Sequence, residues 1–257
     1  MNKLLFSCLA AFSAACAFAG VAQDATAPCV WTNATGGTFN YRLHAPANVA
    51  PGKTYPLVLF LHGAGERGSD NVAQLKWSCD EIVQWFRDSK EEFYLVAGQV
   101  PNGKRWVEVD WDQVEHAMPK DPSEPMANLI GLTEHLFATA AVDRARVYVT
   151  GISMGGYGTW DLLCRRPEWF AAGMPVCGGG DPHQAWRIRT VPIWAFHGDR
   201  DGAVPVCRSR KMTAALWAID GNIRYKEYYG HGHGVWKPAY ADTDVLAWFF
   251  SQRKAAK

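Results

Sequence analysis

Charge of one sign is nearly absent from this sequence: 26 Lys and Arg stand against 25 Asp and Glu, a formal net charge of +1 over 257 residues. With no surplus cation to displace counterions from a polyanion, nucleic acid is excluded as the main partner. Beyond the first twenty positions no stretch reaches the ~18 consecutive apolar residues that a spanning helix needs, so no integral membrane association is expected. No unit of 20 to 50 residues repeats, and no Pro/Ser-rich linker interrupts the chain. None of the cysteines has C-x-x-C spacing, which argues against a thiolate zinc site. Neither a metal nor any other cofactor is called for. The 24 glycines and 14 prolines, beside 48% hydrophobic residues, exclude collagen-like repetition and disorder.

What is there begins with a segment that reads as removable. Lys3 precedes an apolar run from Leu4 to Phe18, and Ala17 and Ala19 place small residues at −3 and −1 of a cleavage site. Residues 1–19 are read as a signal peptide and 20–257 as one catalytic domain, exported to a periplasmic or extracellular space. A lipoprotein reading would put the modified cysteine at Cys16, but the bulky apolar residue expected three positions earlier is Ser13. Five cysteines remain after cleavage: Cys29, Cys79, Cys164, Cys177 and Cys207. In an oxidising compartment they are expected to form bridges, with at least one thiol left over and the pairing not legible.

The periodicity alternates between strand and helix. Thr38 to His44 and the apolar run Tyr55 to Leu61 read as strands, as do 93–97, 146–150, 172–177, 191–196 and 223–229. Helical spacing appears over 74–92, 128–140, 156–165, 209–219 and 241–253, with a short polar helix at 184–187. This alternation predicts a mostly parallel sheet with helices on both faces and a ligand site beyond the carboxyl ends of the strands.

Gly151-Ile-Ser-Met-Gly155 is a G-x-S-x-G run between a predicted strand and a predicted helix. The pentapeptide alone is a weak signal, and its context raises it. A sharp strand-to-helix turn would project Ser153 into the site, and small residues two before and two after avoid clashes across the turn. A serine needs a base held by a carboxylate. His231 and His233 follow the final strand, where such a base would stand; His183 and His197 also lie after the serine. Asp199 and Asp201 occupy the loop after 191–196 and fit the order Ser, Asp, His equally well. Spacing does not choose within either pair.

These residues sit in four ordered segments: Leu61-His-Gly-Ala-Gly-Glu-Arg-Gly68, Gly151 to Trp160, His197-Gly-Asp-Arg-Asp-Gly-Ala-Val-Pro205, and His233-Gly-Val-Trp236 with Ala239-Tyr240. Together they resemble the α/β-hydrolase superfamily. The likeness is to small esterases: feruloyl and acetylxylan esterases of carbohydrate esterase family 1, polyhydroxybutyrate depolymerase-like esterases, and proteins described as predicted peptidases. The resemblance implies an α/β-hydrolase fold, and the little room between Gly156 and Asp201 predicts that it has no large lid. The resemblance further implies Ser153 as nucleophile, Asp201 as acid and His233 as base, with an oxyanion hole from the backbone N–H groups of Ala64 and Met154. His62 would brace that loop, and Glu66 with Arg67 would form a structural ion pair.

The expected activity is hydrolysis of carboxylic esters through an acyl-enzyme. Export and the family together suggest feruloyl or acetyl esters of plant polysaccharide as substrates, with Trp106 and Trp236 as candidate binding residues beside Trp111. General short-chain carboxylesterase and serine peptidase activities are the alternatives. Oligomeric state is not legible.

Overall fold

A computed structural model of the protein describes residues 20–254, so the expected signal peptide lies outside the described residues. Its frame is an eight-stranded sheet in the order β1-β2-β4-β3-β5-β6-β7-β8. The strands are β1 (Ala27–Thr32), β2 (Thr38–His44), β3 (Tyr55–Leu61), β4 (Tyr94–Gly98), β5 (Val142–Ile152), β6 (Ala172–Val176), β7 (Ile193–Gly198) and β8 (Ile223–Tyr228). The two contacts made by β2 are antiparallel and all others are parallel.

Every residue of β3 is buried, as a continuous apolar run in a central parallel strand requires. Its alternate side chains supply two cores. Leu57, Leu59 and Leu61 pack with α3 (Glu124–Thr139), α4 (Met154–Arg165) and α5 (Cys207–Trp217), while Val58 and Phe60 pack with α2 (Cys79–Ser89), α6 (Trp236–Ala241) and α7 (Thr243–Ser251). A short α1 (Val21–Ala25) precedes them all. Helices therefore cover both faces, as the alternation predicts. The predicted closing helix over 241–253 is two helices instead. Asp242 adopts an extended conformation and caps α7 by accepting from the N–H of Asp244 at 3.1 Å, which breaks the run.

No two of the five cysteines form a bridge. Cys79, Cys164, Cys177 and Cys207 are each unbridged. Cys79, Cys164 and Cys177 are buried, where a reduced cysteine packs as a small side chain with a weak S–H donor. The expectation of disulfides is thereby corrected.

Between β4 and α3 the chain runs without regular structure over residues 99–123. This is long for a connection in a compact domain. It is tied down from below by Arg208 of α5, a buried guanidinium that donates to the Asp110 carbonyl at 2.7 Å and to His116 Nδ1 at 2.6 Å. The Tyr157 hydroxyl donates to the Trp111 carbonyl at 3.0 Å from the same side. The segment forms one wall of the site described next.

Candidate active site

The G-x-S-x-G run turns from β5 into α4 with Ser153 at φ 55° and ψ −118°, a strained conformation for a residue with a side chain. The flanking glycines make the turn possible. A β-carbon on Gly151 would lie 2.5 Å from the Gly155 carbonyl oxygen, and one on Gly155 would collide with the carbonyl of Leu61 in β3. Ser153 is anchored by its own N–H, which donates to the Val176 carbonyl at 2.9 Å. Its Oγ is 2.8 Å from His233 Nε2.

His233 and Asp201 complete a line of hydrogen bonds. His233 Nδ1 lies 2.6 Å from Asp201 Oδ2. An ionised carboxylate only accepts, so Nδ1 carries the proton and leaves Nε2 free to accept from the serine hydroxyl. Asp201 Oδ1 accepts from the N–H groups of Ala203 (2.8 Å) and Val204 (2.9 Å). Burial alone would raise its pKa, but the donors from His197, His233 and Val204 outweigh that and hold it well below the ordinary carboxylate range. The alternatives fall elsewhere. Asp199 Oδ1 accepts from Gly230 N–H at 2.6 Å and closes the turn, while His231 is exposed beside Tyr228.

Two supporting residues carried no sequence signal for their role. His197, fully buried, places Nε2 3.1 Å from Asp201 Oδ2 and Nδ1 2.8 Å from Ser209 Oγ. Cys177 donates its thiol to the His233 carbonyl at 3.1 Å, pinning the loop that carries that histidine. Burial pushes this thiol far up, so it stays protonated and able to donate.

Ala64 opens a 3₁₀ turn (Ala64–Glu66) directly after β3, and Met154 is the first residue of α4. At both positions the N–H precedes the first intrahelical bond and is available to a ligand. His62 supports the turn. Its Nδ1 donates to the Gly63 carbonyl at 2.6 Å and its Nε2 accepts from Val100 N–H at 2.9 Å, which fixes a neutral ring. Burial, with help from the nearby Arg67 cation, lowers its pKa to about 4. The unfolded chain binds this proton near pH 6.5, so between pH 6.5 and 4 the unfolded state holds more protons than the folded one. Stability is full above that window and is lost as the pH falls through it, by roughly 3 kcal/mol for this one group. Urea unfolding at pH 7 and at pH 4 measures the difference; equal free energies at the two pH values would overturn the neutral, buried role of His62.

Two expectations need correction. Glu66 and Arg67 do not pair. Glu66 Oε1 accepts from Trp77 Nε1 at 3.1 Å, while Arg67 Nε donates to the Ala64 carbonyl at 2.9 Å and its head lies over Trp111. Adjacent residues on this tight turn point to different sides. Trp106 is fully buried and donates Nε1 to the His62 carbonyl at 3.1 Å, so it packs beneath the loop and offers nothing to a substrate. Trp236 does reach the site, its ring edge-on to His233 at 5.2 Å.

Ser153 and His233 open onto a cavity of about 330 Å³, with Asp201 buried behind the histidine. Its floor is Ser153, Ile152 and the turn from Gly63 to Glu66; its walls are Trp77, Trp111, Trp236 and Val204. A cavity of this size admits a small acyl or ring-bearing group.

Comparison with known proteins agrees with this frame. Residues 93–188 match the model of the prolyl oligopeptidase family. The solved structure of a thermostable esterase superposes with a TM-score of 0.78 at 34% identity, covering 90% of this chain and 64% of that one. A Nocardia uniformis subsp. tsuyamanensis protein, provisionally named esterase NocK, is 27% identical over 71% of this chain and 51% of its own length. A bifunctional acetylxylan esterase/xylanase, XynS20E, of Neocallimastix patriciarum is 28% identical over 65% of this chain and 22% of its own. The chain thus spans about half or less of the curated relatives it matches. Sheet order, the strand-to-helix turn at Ser153 and these likenesses together show that the chain has the α/β-hydrolase fold.

Proposed function

We propose that the protein is an exported serine esterase that cleaves feruloyl or acetyl esters of plant polysaccharide. The observation that carries the reading is the unbroken hydrogen-bond line Ser153–His233–Asp201 at the floor of a tryptophan-walled cavity. In this reading Ser153 Oγ attacks the ester carbonyl while His233 Nε2 takes its proton. The N–H groups of Ala64 and Met154 stabilise the oxyanion. Collapse of the tetrahedral intermediate breaks the bond to the alcohol, which receives the proton from His233, and water then releases the acid by the same steps in reverse. Asp201 holds the imidazole in the required tautomer and stabilises it when charged. The likeness to an acetylxylan esterase and the residues 1–19 that read as an export signal favour polysaccharide esters.

The test is turnover by the chain from residue 20 onward of p-nitrophenyl acetate, butyrate and octanoate, methyl ferulate and acetylated xylan, before and after a fluorophosphonate. Turnover of ferulate or xylan that the reagent abolishes is the expected result. Hydrolysis confined to short aryl esters would make the protein a general carboxylesterase and sink the polysaccharide reading. The prolyl oligopeptidase match favours one other reading, a peptidase, which peptide p-nitroanilides in the same panel would reveal.

A further inference from the structure

Glu66 is the one carboxylate among the residues that line the cavity, and the acyl-transfer steps leave it unused. It is 5% exposed, and no cation lies within ion-pair distance of it among the described residues. Oε1 accepts from Trp77 Nε1. Oε2 points elsewhere. It lies 2.9 Å from the position a β-carbon on Gly63 would occupy, and that same position is 3.5 Å from Ser153 Cβ. The second oxygen therefore lies against Gly63, on the turn that lines the cavity beside Ser153. A carboxyl group offers about four acceptor sites. Trp77 Nε1 and the backbone N–H groups of Gly63 and Glu66 take up to three of them, and a buried site left empty is costly. Burial, resisted by Trp77, Lys76 and the backbone N–H groups of Gly63 and Glu66, holds this group above the ordinary carboxylate range.

The surroundings narrow what could fill the site that remains. Trp77 and Trp236 lie 6.3 Å apart at 54°, and Trp236 continues the wall to His233. An ammonium group is disfavoured, because cations already flank the aromatic walls. Lys76 and Lys237 sit 5.1 and 5.0 Å from the ring of Trp77, and Arg105 and Arg67 4.7 and 5.9 Å from that of Trp111. What remains is a neutral donor attached to a flat or ring-shaped group.

We propose that this corner of the cavity is a subsite for an uncharged ring bearing a hydroxyl, the ring seated among Trp77, Trp111 and Trp236 and the hydroxyl donating to Glu66 Oε2. A phenolic acid and a sugar both carry this chemistry, the first on the acyl side of the ester and the second on the alcohol side. Only the kinetic arm of the test rests on the esterase reading.

Calorimetric titration of Ser153→Ala protein with matched ester pairs separates the sources. One pair is methyl 4-hydroxycinnamate and methyl cinnamate; the other is an acetylated methyl xyloside and acetoxytetrahydropyran. The hydroxylated member of one pair is expected to bind about tenfold or more tightly, and a second substitution, Glu66→Ala, should shrink that ratio below about threefold. Preference in the first pair assigns a phenolic acyl group, and in the second a sugar. Glu66→Gln, which keeps the side-chain volume, serves if the alanine variant does not fold and should shrink the ratio likewise. Equal binding within both pairs, a ratio that survives loss of Glu66, or tighter binding of an ammonium-bearing ester would overturn the subsite. In the Ser153-intact enzyme the same ratios should appear in kcat/KM. If that enzyme turns over no ester at all, the esterase reading fails while the titrations still judge the subsite.

Discussion

Replacing Ser153 by alanine is expected to lower kcat for any ester the protein hydrolyses by about 10⁴-fold or more, with the thermal midpoint almost unchanged. Without Oγ there is no atom to acylate, and what survives is the binding and oxyanion stabilisation left to the backbone donors. The stability half of the expectation follows from the turn. Alanine keeps the β-carbon at φ 55°, so the strain persists and only one hydrogen bond, to His233, is lost. Glycine at the same position would relieve that strain and should melt differently. Parallel measurement of p-nitrophenyl acetate hydrolysis and calorimetric melting decides the matter. Activity within tenfold of the unsubstituted protein would remove Ser153 from the chemistry.

Asp201→Asn should cost about 10⁴-fold in kcat at nearly constant KM. The carboxylate accepts at both ends, from two backbone N–H groups at Oδ1 and from His233 and His197 at Oδ2. Asparagine has one acceptor oxygen. With that oxygen kept by Ala203 and Val204, its NH₂ meets two ring nitrogens that must themselves donate. His233 is then driven to carry its proton on Nε2, where it can no longer accept from Ser153. Asp199→Asn is the control, since Asp199 only closes the turn at Gly230 and its amide oxygen can still do so. Equal losses in the two variants would mean that the loop, and not the tautomer, had been disturbed.

Much of this was legible in the sequence, for physical reasons that differ by element. The fully buried β3 announced itself as an apolar run because both of its faces are covered. β1 did not, since it is an edge strand with mostly exposed side chains and no alternation to read. Helix α4 begins two residues earlier than periodicity places it, because the strained turn delivers the chain directly into helical geometry at Met154. At the site, spacing narrowed the acid and the base to two candidates each, and the family resemblance rather than spacing singled out Asp201 and His233. The roles of His197 and Cys177 depend on contacts between residues 4 and 56 positions apart, through elements whose packing no local pattern encodes. The buried thiols misled because a cysteine that packs like alanine is indistinguishable, in a list of letters, from one awaiting a partner.

The position of β8 has a consequence in time. The hydroxyl of Ser153 and the imidazole that meets it are 80 residues apart, and the histidine follows the last strand to join the sheet, paired to β7 alone. At roughly 5–20 residues per second of synthesis, a growing chain would carry its strained serine for about 4–16 s before the partner imidazole was even made. The imidazole that meets Ser153 is thus carried by the loop beyond the final edge of the sheet.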